Sequence, residues 1–192
     1  MSLIQKIRKY GVKDSAKLFW GNVSRRINRA LFYAFQICPV DKTRIVLESE
    51  GDLCDNAYAL YDYMRKTGYL EKYHTIWMLN NLNNAKRESG MHTSFVGKSA
   101  ERIQPKRSYY LATCGWYIYD HCNMMADVKK RENQTLIYLS HGWGYKAAKG
   151  GTMKNDKSTC KYITSTGKLA AEGLAAFWNE PIEKILVTGY PR

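Results

Sequence analysis

One histidine in this sequence is flanked by residues suited to proton transfer: Leu136-Ile-Tyr-Leu-Ser-His141-Gly-Trp-Gly144-Tyr-Lys146. An imidazole titrates near neutral pH, so it can take a proton from a hydroxyl. Gly142 and Gly144 let a ligand approach the backbone closely. Lys146 can neutralise a phosphate. The plainer reading is a structural histidine, and one more surface lysine in a chain with 30 Lys+Arg. The order of the segment favours the chemical reading, because a short apolar run ends abruptly in the histidine and two glycines follow.

The elements that must position these groups can be read outward from there. Residues 136–139 read as a buried strand after the polar residues 132–134. His141 then sits at the carboxyl end of a strand, where open α/β sheets bind their ligands. Asp120 closes another strand, at 115–120, and faces the same edge. It either orients a ligand or caps the next turn. Further strands are expected at 44–48, 74–79, 93–96, 161–164 and 184–188. Helices are expected at 56–66, with Asp55 or Asn56 as N-cap, at 99–112, disturbed by Pro105, and at 167–178. Residues 80–90 read as a loop with one helical turn. Strands alternating with helices predict an α/β fold: a Rossmann-like, mostly parallel sheet with helices on both faces. That domain would span residues 41–192. A doubly wound sheet ordinarily adds a helix after its last strand, so a chain ending at Gly189-Tyr-Pro-Arg192 reads as the front half of something longer.

Residues 1–40 differ. They carry eight basic residues (Lys6, Arg8, Lys9, Lys13, Lys17, Arg25, Arg26, Arg29) against one acid, Asp14. Leu3, Ile4, Ile7, Leu18, Phe19, Val23, Ile27, Leu31 and Phe35 recur at mostly helical spacing, and Gly11 and Gly21 are expected to divide the segment into two or three helices. A basic amphipathic segment of this kind suits an anionic membrane surface; the alternative is a helix packed on the domain with a solvated basic face. The net charge of +13 calls for an anionic partner. No helix-turn-helix, RNP or zinc pattern supports nucleic acid. The five cysteines contain no CxxC pair, so neither a metal site nor a disulfide framework is read, and a reducing cytoplasm fits. No signal peptide is seen.

Two catalytic motifs fail. His-Gly-Trp-Gly after a strand also occurs in α/β-hydrolases, but no Gly-x-Ser-x-Gly nucleophile elbow is present. Thr166-Gly167-Lys168 lacks the earlier glycine of a phosphate loop, where Tyr162 stands. Gly167 instead opens a helix.

Four blocks in order carry a resemblance. Residues 138–146 resemble "xxWHGTPLKxxG", Val187-Thr-Gly-Tyr-Pro-Arg192 resembles "xxGYPRND", residues 48–61 resemble "ESxxGxxxxDNPKALYEY", and residues 109–120 resemble "YYLLTAKYVIxD". Over about residues 44–192 the sequence resembles the CDP-glycerol glycerophosphotransferases of teichoic acid and capsule synthesis. The resemblance implies a GT-B architecture of two Rossmann-like domains, of which this chain would be the N-terminal, acceptor-side one. It implies a peripheral location on the cytoplasmic face of the membrane, a lipid-linked polyol-phosphate acceptor, and CDP-glycerol as donor, bound by a C-terminal domain absent from these 192 residues. It implies no cofactor and no metal. His141 would be the catalytic base, and Gly142, Lys146, Asn56, Asp120 and Arg192 would contact substrate. Ser140 replaces the family's tryptophan, and Trp143-Gly144-Tyr145 replaces Thr-Pro-Leu, so the match does not fix the acceptor. Without its donor side, the chain is expected not to turn over alone; a non-catalytic membrane- or polyanion-binding module is the alternative.

Overall fold

The computed structural model describes residues 3–87, 92–99, 101–141 and 156–192, with side chains from residue 11 onward. Among the described residues, seven strands form one sheet: β1 (Asp41–Glu48), β2 (His74–Leu79), β3 (Thr93–Gly97), β4 (Cys114–Tyr119), β5 (Thr135–Tyr138), β6 (Tyr162–Ser165) and β7 (Ile185–Val187). Their order is β3-β2-β1-β4-β5-β6-β7, and every pairing is parallel. The chain starts in the middle, builds to one edge, then crosses over and builds to the other. The reversal falls between β1 and β4, which makes the carboxyl ends of those two strands the expected ligand crevice.

Both faces of the sheet are apolar, as a covered parallel sheet requires. On one face, Leu47, Trp77, Leu79 and Ile118 pack with Ala57 and Tyr61 of α2 (Asp55–Lys66). On the other, Val46, Ile76, Tyr117 and Leu136 pack with Phe32 of α1 (Leu3–Phe35), Leu111 of α3 (Pro105–Thr113) and Leu174 of α4 (Lys168–Trp178). At the start of β4 the backbones nearly touch. A Cβ on Gly115 would lie 2.7 Å from Lys42 Cα, so only glycine fits there.

Three local readings are corrected. The N-terminal helix is interrupted at Gly11 (φ 79°) but runs through Gly21. Its buried side is Ser15, Gly21, Ser24, Asn28 and Phe32, whereas Leu18 and Phe19 are exposed. It docks by hydrogen bonds more than by an apolar stripe. Asn28 Nδ2 donates to Arg102 O, Gln104 N donates to Asn28 Oδ1, and Ser108 Oγ donates to Asn28 O. The helix expected from residue 99 begins only at Pro105. Proline at the first helical position costs no hydrogen bond, and it disfavours a helical residue before it. Neither Asp55 nor Asn56 caps α2 with its own side chain; the residue before the helix, Cys54, makes no side-chain cap either.

Candidate functional site

The missing cap is supplied from far along the chain. Asp120 follows β4 and is fully buried. One of its carboxylate oxygens accepts from Ala57 N in the first turn of α2 (3.0 Å), and the other accepts from Glu50 N (3.1 Å). A carboxylate is favoured at the positive end of a helix. Burial, with the neighbouring Asp55 charge, raises the Asp120 carboxyl above the usual carboxylate range, while the Ala57 N–H and His141 pull it back. The carboxylate thus caps α2, far back in the chain, rather than the turn that follows β4.

With α2 held there, Asp55 is placed against His141. Asp55 Oδ2 lies 3.0 Å from His141 Nε2, and Asp55 Oδ1 lies 3.1 Å from Arg192 Nη1. Asn56 is buried, and its Nδ2 donates to Ser140 O at 3.0 Å. That bond ties the start of α2 to the residue before His141. Four residues chosen from sequence (His141, Asn56, Asp120 and Arg192) therefore converge on one edge of the sheet. Gly142 and Lys146 lie outside the described residues.

Sequence reasoning read Asp55 only as a cap for α2, not as a partner of His141. It adopts a left-handed conformation (φ 59°), and so does Leu53 (φ 52°). Non-glycine residues adopt this conformation rarely, and such strain collects at functional sites. The one available signal was its place directly before Asn56 in the matched block.

Chemically the arrangement is a carboxylate–imidazole pair with a guanidinium alongside. When Nε2 donates its proton to Asp55, the Nδ1 lone pair is left to accept one. Asp55, Asp120 and His141 also offer ligand atoms within 4.8 Å of one another, a spacing a metal ion could bridge. In this arrangement both Asp120 oxygens already accept backbone N–H groups, and Asp55 is shared between His141 and Arg192.

Beneath the site Glu48, at the end of β1, is fully buried beside Lys98. Burial pushes its carboxyl up to about 7, against the opposing pull of Lys98. A folded carboxyl that titrates above its unfolded value holds a proton the unfolded chain has lost. Its contribution is fully present below about pH 4.5 and is lost as pH rises through about 7. The wild type is therefore expected to lose about 3 kcal/mol of stability relative to Glu48→Gln between pH 4.5 and 8. Chemical denaturation of both proteins across that range checks this; parallel curves would contradict it.

A model of the CDP-glycerol:poly(glycerophosphate) glycerophosphotransferase family matches residues 30–192. Among solved structures, the wall teichoic acid polymerase TagF is similar with a TM-score of 0.68 and 20% identity, over 92% of this chain and 46% of that one. A histidine-to-alanine variant of TagF gives 0.67 and 20%, over 94% and 48%. A histidine-to-asparagine variant soaked with CDPG gives 0.69 and 19%, over 88% and 43%. The chain thus spans about half the length of the polymerase chains it matches. No curated protein matches it.

Proposed function

The chain belongs to the CDP-glycerol:poly(glycerophosphate) glycerophosphotransferase family, and on that premise we propose that it forms the acceptor side of a transferase that moves glycerol phosphate, or a related polyol phosphate, from a CDP-activated donor onto a teichoic acid or capsular polymer. The observation that carries the reading is the Asp55–His141 pair at the carboxyl edge of the sheet. In this mechanism His141 Nδ1 takes the proton of the acceptor's terminal hydroxyl. The hydroxyl oxygen bonds to the donor's β-phosphorus, the bond from that phosphorus to the bridging oxygen breaks, and CMP leaves. Asp55 holds the imidazole in the required tautomer and faces the positive charge that forms. Such transfers depend mainly on positioning and charge neutralisation; Lys146, five residues after the base, and Arg192, which pairs with Asp55, are the cations proposed to supply it.

The purified 192-residue chain, which spans about half of its structural relatives, is proposed not to turn over by itself. The test is CMP release from CDP-glycerol with a lipid-linked acceptor. The isolated chain should give none, and the chain supplied with a donor-binding domain of the family should give CMP in step with polymer growth. CMP release by the isolated chain would overturn the proposed division of labour.

The acceptor is proposed to be met at the cytoplasmic face of the membrane, with α1 lying on the lipid. Among the described residues, no helix is long and apolar enough to cross a membrane. Phe19 is 60% exposed and Trp20 53%, on the same helix as Lys13, Lys17, Arg25, Arg26 and Arg29. Exposed aromatics among basic residues suit an anionic interface. Phe19→Ala/Trp20→Ala is expected to weaken binding to anionic vesicles at least tenfold, because even partial burial of two aromatic rings contributes about 2 kcal/mol. Sedimentation with vesicles measures this, and unchanged binding would remove α1 from the membrane.

A further inference from the structure

The segment between β1 and α2 has to be held in an unfavourable shape. Its residues Leu53 and Asp55 are both left-handed, a state that persists only where the surroundings over-determine it. Asp120 supplies one restraint, through Glu50 N and Ala57 N. Asp52 supplies a second, accepting from Asn80 N, Asn81 N and Asn84 Nδ2, and a third comes from Lys98, which follows β3.

Lys98 is only 9% exposed. Its Nζ is ion-paired with Glu48 and donates to the carbonyl oxygens of Ser49 (2.5 Å) and Glu50 (3.3 Å). Its own backbone is fixed from both sides. Lys98 N donates to Leu79 O at 2.7 Å, and the buried Arg107 donates through Nη1 to Lys98 O and Ser99 O at 2.7 and 2.8 Å. Glu50 is therefore gripped twice: its carbonyl by Lys98 and its N–H by Asp120. A buried ammonium needs one counter-ion for charge balance. Bonds to two successive carbonyls at the root of a strained turn go beyond that need.

We propose that Lys98 is a positioning residue for the Asp55–His141 pair, acting through the backbone of Ser49 and Glu50. The proposal deepens the transferase reading and rests on it for its catalytic meaning. The geometric claim can be tested on this chain without turnover.

The experiment is imidazole ¹H–¹⁵N spectroscopy, with the His141 resonances assigned by their loss in His141→Gln. Lys98→Met is expected to move the His141 nitrogen shifts to those of Asp55→Asn, and to leave His74, His92 and His121 unmoved. The double variant Glu48→Gln/Lys98→Met buries no unpaired charge, and it is expected to show the same displaced signal. If Lys98→Met does not fold, the double variant alone decides. His141 shifts that stay at their wild-type values in Lys98→Met, or that return to them in the double variant, would reduce Lys98 to a counter-ion and overturn the proposal. In the transfer assay, kcat should fall about tenfold with KM for the donor unchanged. The spectra do not depend on turnover, so failure of the transferase reading, seen as transfer indifferent to His141→Ala, is separable from failure of this one.

Discussion

Replacing His141 by alanine is expected to lower acceptor-dependent CMP release by about 10²–10⁴-fold, the usual contribution of a positioned general base. The side chain is partly exposed and its described partner is Asp55, so the fold should tolerate its loss. Asp55→Asn should cost less, because an amide can still orient the ring but cannot face its positive charge. The assay pairs the chain with a donor-binding domain of the family, with saturating donor, so that the loss is read in kcat. An alanine variant within a fewfold of wild type would remove His141 from the chemistry. The sequence would then describe a binding module on a transferase-like fold.

The second large effect is on stability. Asp120→Ala is expected to destabilise the domain by about 2–5 kcal/mol, since it strands the buried N–H of Ala57 and the part-buried N–H of Glu50. Each stranded donor costs about 1–3 kcal/mol, and the carboxylate at the helix start is lost as well. Asp120→Asn keeps the shape but only one accepting oxygen, so it should fall between. Urea denaturation of the three proteins measures the series. An alanine variant within about 0.5 kcal/mol of wild type would show that water replaces the carboxylate, and the cap would not be structural. If the cap is structural, activity should fall with stability, because the same two bonds set the first turn of α2 beside Asp55.

The parts of the fold that were legible rest on local patterns. The strands at 74–79 and 93–96 are short apolar runs between polar ones, and β2 and β3 lie there within a residue. His141 was legible because a buried run, a histidine and a glycine are contiguous. Asp55 was not, because its role depends on a contact 86 residues away and on a backbone conformation that side-chain type does not announce. Lys98 was hidden among 30 basic residues, and its surroundings come from the ends of β1 and β2 and from Arg107 of α3, all distant in sequence or unannounced by it. Gln134 was concealed differently. It closes a polar run, yet it is buried, donating to Leu111 O and Cys114 O and accepting from Arg131 N. A polar run reads as surface until its last member proves to satisfy the backbone where α3 turns into β4.

The order of the sheet also governs how the chain comes off the ribosome. β1 is made first among the strands but sits in the middle, with β2 on one side and β4 on the other. Val46 must wait for Tyr117, about 70 residues later, before its second edge is closed. At about 5–20 residues per second that interval lasts roughly 4–14 s. For those seconds Val46 and Leu47, which end fully buried, lie on an open parallel edge, the kind of surface that recruits other chains. The strand that carries the root of the candidate-site turn is thus the internal strand whose second edge stays open longest during synthesis.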